Sequence, residues 1–378
     1  MPHQLINLSP YIAEYLPWEI KGRDFLVVIA KVTLDLKPDS RAVPSADQAP
    51  LQAVDVPNTE NDLTSVRYEG DFVPYKARAD ILCAGQAFAP GGRPVSQCDV
   101  QFSVGDRIKN IRVVGDRNLS LSSDNRLQLT KAKPFTAMPL IYENAFGGVD
   151  PADEDGYRFY AYNPVGKGYS TNLKKLNGQP FPNLEDPERP ITNFKELHQP
   201  MGFGPISYAW QPRLKKAGTY DDQWMESISP ELPEDFDSGY YNCAPADQQI
   251  DGYLKGDEII RTLNMHVNHP EFKTKLPGIT MRAFIGRTVD KQIKVENIKM
   301  KLDTCWVDMD QLKCNLVWRG IKAGNDLTGD ETILVADEKL QNRPVENQFY
   351  VDELTAKLRE QQQVYDEANG AETTEAGS

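Results

Sequence analysis

Histidine and cysteine are scarce in this chain of 378 residues, which has four of the first and five of the second. The histidines are His3, His198, His266 and His269, and only the last two lie close together, as HVNH. Residues three apart on a strand point to opposite faces, and neither HExxH nor a paired Cys/His spacing accompanies them, so no metal is expected. Cys83, Cys98, Cys243, Cys305 and Cys314 are odd in number, and no two are spaced as CxxC. In so long a chain they read as small buried apolar residues rather than as a disulfide framework. Long apolar runs are missing too. The longest, Phe25 to Ala30, falls far short of the ~20 residues that a membrane helix needs. The opening MPHQLINLSPYIAEYLPWEIKGRD lacks a basic segment followed by an apolar stretch, so no secretion signal is read and a cytoplasmic protein is expected.

Positive charge is in deficit, with 42 basic against 55 acidic residues and a net charge of −13. Phosphate backbones and anionic membranes are bound through clustered Lys and Arg, and no basic block is present, so both are excluded as partners. The nucleophile elbow GxSxG and the phosphate loop GxxxxGK[ST] are absent. The glycine groups AFGG (145–148), NPVGKG (163–168) and GFGP (202–205) do not follow a strand and open a helix. No cofactor and no small-molecule substrate is expected.

What is present is strand pattern. In residues 25–36, FLVVIAKVTLDL, Val32, Leu34 and Leu36 fall on one side and Lys31, Thr33 and Asp35 on the other, which predicts a strand. Further strands are predicted at Thr64–Tyr68, Ala79–Ala87, Val95–Val104 and Lys109–Gly115. Turn chemistry separates them, in AFAPGGRP (87–94) and VGDR (104–107). Residues 257–320 return to strands. There Leu302, Thr304, Trp306 and Asp308 alternate with Lys301, Asp303, Cys305 and Val307, a turn falls near 308–311, and Leu312–Trp318 runs back. Residues 349–367 carry the one long helical pattern, with Val351, Leu354 and Leu358 as its stripe and acids in its first turn.

The middle of the chain differs. Residues 134–256 hold 26 of the 53 Gly and Pro residues and 19 of the 35 aromatics. A disordered linker would have the first but not the second, so these are read as ordered, functional loops packed by rings. The fold class is therefore mainly β: an antiparallel β-sandwich or barrel-like core with long ordered Gly/Pro/aromatic-rich loops and a C-terminal helix. The expected organisation is an N-terminal antiparallel β domain at 1–130 and a loop-rich aromatic region packed on it at 131–256. A β meander at 257–348 completes the fold, followed by a helix at 349–367 and a disordered tail at 368–378.

Acids cluster in ADEDG (152–156), GTYDDQW (218–224) and LPEDFD (232–237). They read first as turn and cap residues. A carbohydrate-active hydrolase would need two of them, such as Asp221 and Asp235, facing one cleft. The ring groups FYAYNP (159–164), SYAWQPR (207–213) and TYDDQW (219–224) mix aromatics with polar handles, the composition of protein interfaces. Candidate partner-binding residues are Trp210, Arg213, Tyr220, Asp221, Trp224 and Phe236.

Stretches running in order over most of the chain carry a resemblance. They include VVIAKVTLDL (27–36), SVRYEGDFVPYKARADILCAGQAFAP (65–90), PFTAMPLIYENAFGG (134–148), NPVGKGY (163–169), WQPRLKKAGTYDDQW (210–224), YYNCAPADQQ (240–249) and DTCWVDMDQLKCNLVWRG (303–320). Together they resemble a bacterial family catalogued as a domain of unknown function and associated with type VI secretion. The resemblance implies a non-enzymatic effector adaptor, or chaperone. Its partners would be a toxin effector, of the PAAR or Rhs kind, and the spike protein onto which the toxin is loaded. A structural or secreted component of the same machine is the second function this implies. No catalytic residue is carried over by the resemblance. Residues 1–20 and 325–378 lie outside it.

Overall fold

In the computed structural model the described residues are 4–375, except 21, 61–63, 125, 291, 325–326, 328–330 and 341–342. The chain is mainly β, in several mixed and antiparallel sheets, and none of these closes into a barrel among the described residues. Gly/Pro/aromatic-rich loops and a C-terminal helix complete it, as the sequence patterns predict.

The largest sheet has seven strands. Its central run is Ala79–Ala84, Lys301–Asp308, Lys313–Ala323, Arg23–Asp35 and Ile12–Ile20. All neighbours along this run are antiparallel except the first two strands, which are parallel. A six-stranded sheet centres on Arg107–Val114, Gln97–Val104, Ile259–Leu263 and Glu271–Lys275. A four-stranded sheet orders Gln4–Asn7, Thr332–Asp337, Met281–Val289 and Gln292–Ile298. The N-terminal and C-terminal thirds of the chain thus share sheets, so long-range pairing builds the framework.

The main core lies between sheets. Leu26, Val28, Ala30, Val32 and Leu34 of one strand meet Val100, Phe102, Val104, Ile111 and Val113 of the six-stranded sheet. The strict alternation of these side chains is the period-2 pattern read in 25–36. The opposite face of that strand is also covered. Lys31 and Thr33, on the polar side of the pattern, are both buried, because loops close over this outer face of the large sheet.

Three local departures have clear causes. The strand expected at Ala79–Ala87 is two strands, Ala79–Ala84 and Gln86–Phe88. Gly85 between them takes φ 153°, and a Cβ there would stand 3.1 Å from Met309 Cβ. A bulge between Leu302 and Thr304 resets the alternation of the late hairpin. Leu302 therefore joins Cys305 and Val307 in the main core, rather than sharing a side with Thr304 and Trp306. The C-terminal helix spans Asn347–Glu375, longer than the predicted 349–367, so it covers part of the span read as a tail; residues 376–378 lie outside the described residues. Tyr350, Leu354 and Leu358 pack it onto Phe284, Leu334 and Ala336 of the four-stranded sheet.

Candidate partner-binding face

Over the outer face of the large sheet, the loops between 200 and 250 are tied down by a buried guanidinium. Arg213 is 6 % exposed. Its Nη1 donates to Ile206 O (2.7 Å), its Nε to Tyr240 O (3.0 Å) and its Nη2 to Glu69 Oε1 (2.5 Å). Three separate segments are held by one planar fork, a geometry that Lys cannot supply.

Glu69 leads into a buried ion cluster. Lys76 Nζ contacts Glu69 Oε2 (3.0 Å), Asp80 Oδ2 (2.8 Å) and Cys243 Sγ (3.7 Å). Asp80 also accepts from Asn242 Nδ2 and from the Cys243 N–H. Burial works against the Glu69 carboxylate, yet Lys76 and Arg213 hold its pKa down to about 2. Burial works against the Lys76 ammonium too, yet Asp80, Cys243 and Glu69 raise its pKa well above the usual lysine value. Burial pushes the Cys243 thiol far up, with Glu69 and Asp80 adding to it. Glu69, Asp80 and Cys243 offer ligand atoms within 4.8 Å of one another. The Lys76 ammonium occupies the middle of that group, so the carboxylates cradle a side-chain cation.

Above this base stands a cluster of rings. Tyr240 and Tyr241 pack with Phe236 at 5.9 and 5.3 Å, and Tyr241 meets Tyr75 at 5.7 Å. Burial raises the Tyr240 phenol pKa, and Tyr220 and Tyr208 lie close enough to add to the rise. Tyr220 meets Trp224 edge-on at 4.7 Å. Trp224 is half-buried, and its indole N–H donates to Glu231 O at 2.8 Å. Asp221 caps the short helix Asp222–Ser227 by accepting from the Trp224 N–H, as Asp before a helix does. Asp235 clasps Thr219 through both backbone N–H and hydroxyl, and these bonds lower its pKa.

The six candidates divide in two. Tyr220, Trp224, Phe236 and Asp221 belong to the surface cluster or its capping. Trp210 and Arg213 do not: Trp210 is 7 % exposed in the main core, edge-on to Tyr142 at 5.7 Å. The Arg213 guanidinium, taken in the sequence as the mark of a surface, anchors loops, and the Trp210 ring packs in the core. Exposed side chains that the reading passed over are Tyr208 (55 %), Leu214 and Met225 (68 %). Their only signal was adjacency to chosen residues within the same ring-rich stretches. Asp221 and Asp235, the carboxylates a hydrolase would use, are each spent on local caps.

Acids dominate one stretch of this face. Residues 218–237 contain seven acids (Asp221, Asp222, Glu226, Glu231, Glu234, Asp235 and Asp237) and no Lys or Arg. Glu231 reaches the end of the neighbouring strand Ile12–Ile20, where its contact and charge raise the Glu19 pKa. Elsewhere the His266 and His269 rings stack at 5.1 Å, and all five cysteines are free and buried.

Among the described residues no helix is long and apolar enough to cross a membrane. No curated protein and no solved structure matches the chain. The profile of the family described as an uncharacterized protein conserved in bacteria (DUF2169) matches residues 21–319, and the chain, covered over most of its length, belongs to that family.

Proposed function

We propose that this chain is a non-enzymatic adaptor that grips another polypeptide on the ring-bearing face between 207 and 241. The observation that carries the reading is exposure: Tyr208 and Tyr220 stand half open to solvent on loops fixed from beneath by Arg213. Rings held this way give contact area with little entropy left to lose on binding. In the type VI secretion setting that the sequence resemblance implies, the partner is a toxin effector awaiting loading on the spike. The acidic surround of 218–237 speeds encounter with a partner segment of opposite charge.

The test is co-purification of the full chain with the products of neighbouring toxin and spike genes. The Tyr208→Ala/Tyr220→Ala variant removes two exposed rings and leaves the Arg213 anchor untouched. Its melting temperature is expected to match the parent, and its affinity to fall by about 30-fold, the loss of roughly 2 kcal/mol typical of an aromatic anchor. Undiminished capture by a variant that melts normally defeats the assignment.

A further inference from the structure

A groove of about 590 Å³ opens over the outer face of the large sheet, and no residue of 207–241 lines it. Its floor is made by cross-strand rows. Trp306 pairs with Asn315 and Asn315 with Thr33, while in the next row Asp308 pairs with Lys313 and Lys313 with Asp35. The bulge at Leu302/Thr304 turns Trp306 and Asp308 to this side. Loop residues Asp47 to Pro50 and Gln52, with Arg67 of the strand Val66–Tyr68, make the walls.

One polar group in the floor is unspent. Asn315 is 6 % exposed. The Thr33 hydroxyl takes a hydrogen bond from the Ala49 N–H and donates to Asn315 Oδ1 at 2.9 Å. That fixes the amide with its oxygen toward Thr33 and leaves Nδ2 on the groove side, where it makes no hydrogen bond among the described residues. An amide N–H open to the groove offers one donor to a ligand oxygen there.

We propose that this groove binds a neutral saccharide unit. An anionic ligand finds no free cation in the groove among the described residues. Arg67 is held by Asp308 (2.7 Å) and Asp310 (3.2 Å), Lys313 by Asp35 (2.5 Å), and Lys31 by Asp71 (2.9 Å). An added peptide strand finds no edge, because the floor strands already pair on both sides. What is offered is a donor at Asn315, a rim carboxylate at Asp47, and an apolar wall from Trp306, Tyr68 and Val56. A sugar hydroxyl both accepts and donates at one oxygen, and the C–H face of its ring suits an aromatic wall. The volume lies within the roughly 300–1,000 Å³ of small-ligand pockets. This inference does not depend on the ring-bearing face.

Cellobiose, maltose and N,N′-diacetylchitobiose are titrated calorimetrically into the full chain. Saturable binding of at least one is expected. Asn315→Leu and the rim variant Asp47→Ala should each weaken it about 5-fold or more, one hydrogen bond's worth. Asp47 is exposed, so that variant keeps the test informative even if Asn315→Leu folds poorly. Absence of saturable heat with all three sugars overturns the proposal. So does parental affinity in both variants, or equal binding of a neutral control peptide, acetyl-Gly-Ser-Asn-amide.

Discussion

Replacing Arg213 with Met tests the anchoring of the loop face most directly. The thioether fills much of the same space but donates nothing. Ile206 O and Tyr240 O lose their donors, and Glu69 keeps only Lys76 as a charged partner. Removing one member of a buried ion pair costs about 3–5 kcal/mol; we take about 4 kcal/mol. Unfolding entropy near roughly 2.1 cal/mol/K per residue gives about 0.8 kcal/mol/K for the 378 residues. The melting temperature should therefore fall by about 5 °C in a calorimetric scan. The double variant Arg213→Met/Glu69→Gln discharges the orphaned carboxylate, so it should recover roughly 2 °C of that loss rather than add to it. Partner capture should weaken in Arg213→Met although this side chain touches no partner, because the Tyr240 segment is released. A shift below about 1 °C, or simple additivity in the double variant, would refute the account of Arg213 as the tie between three segments.

Three further outcomes follow from the same contacts. The folded Glu69 pKa, about 2 against an ordinary 4.5, means that its stabilisation is present above pH ~4.5 and lost as pH falls towards 2. Urea midpoints measured across that window should therefore drop more in the parent than in Glu69→Gln. Gly286 lets the C-terminal helix approach the sheet, since a Cβ there would lie 2.6 Å from Leu358 Cδ1. Gly286→Val should undock the helix at a cost of about 1–3 kcal/mol, seen as faster proteolysis within the helix with the sheets intact. A thiol reagent should leave Cys83, Cys98, Cys243, Cys305 and Cys314 unmodified in the native chain and modify all five in denaturant, since all are buried and out of the reagent's reach; modification of a native cysteine at the unfolded rate would contradict that burial.

Local pattern alone determined much of this protein. Alternation in 25–36, turn residues at 87–94 and 104–107, and the stripe of Leu354 and Leu358 each foretold the element found there, because side-chain period and turn chemistry are properties of a few adjacent residues. The ring density of 134–256 likewise marked an ordered region before any contact was known. Tertiary structure decided what each polar residue does. Lys31 and Thr33 looked solvent-facing until loops covered the second side of their strand. Arg213 and Trp210 looked like surface anchors, but pairing with Glu69 and Tyr142, far away in sequence, turned them inward. Asn315 has no distinguishing neighbour in the chain. It became a candidate contact only when a one-residue bulge on the facing strand set Trp306 beside it and Thr33 took up its oxygen. Burial and hydrogen-bond partnership depend on segments hundreds of residues apart, and no window of sequence contains them.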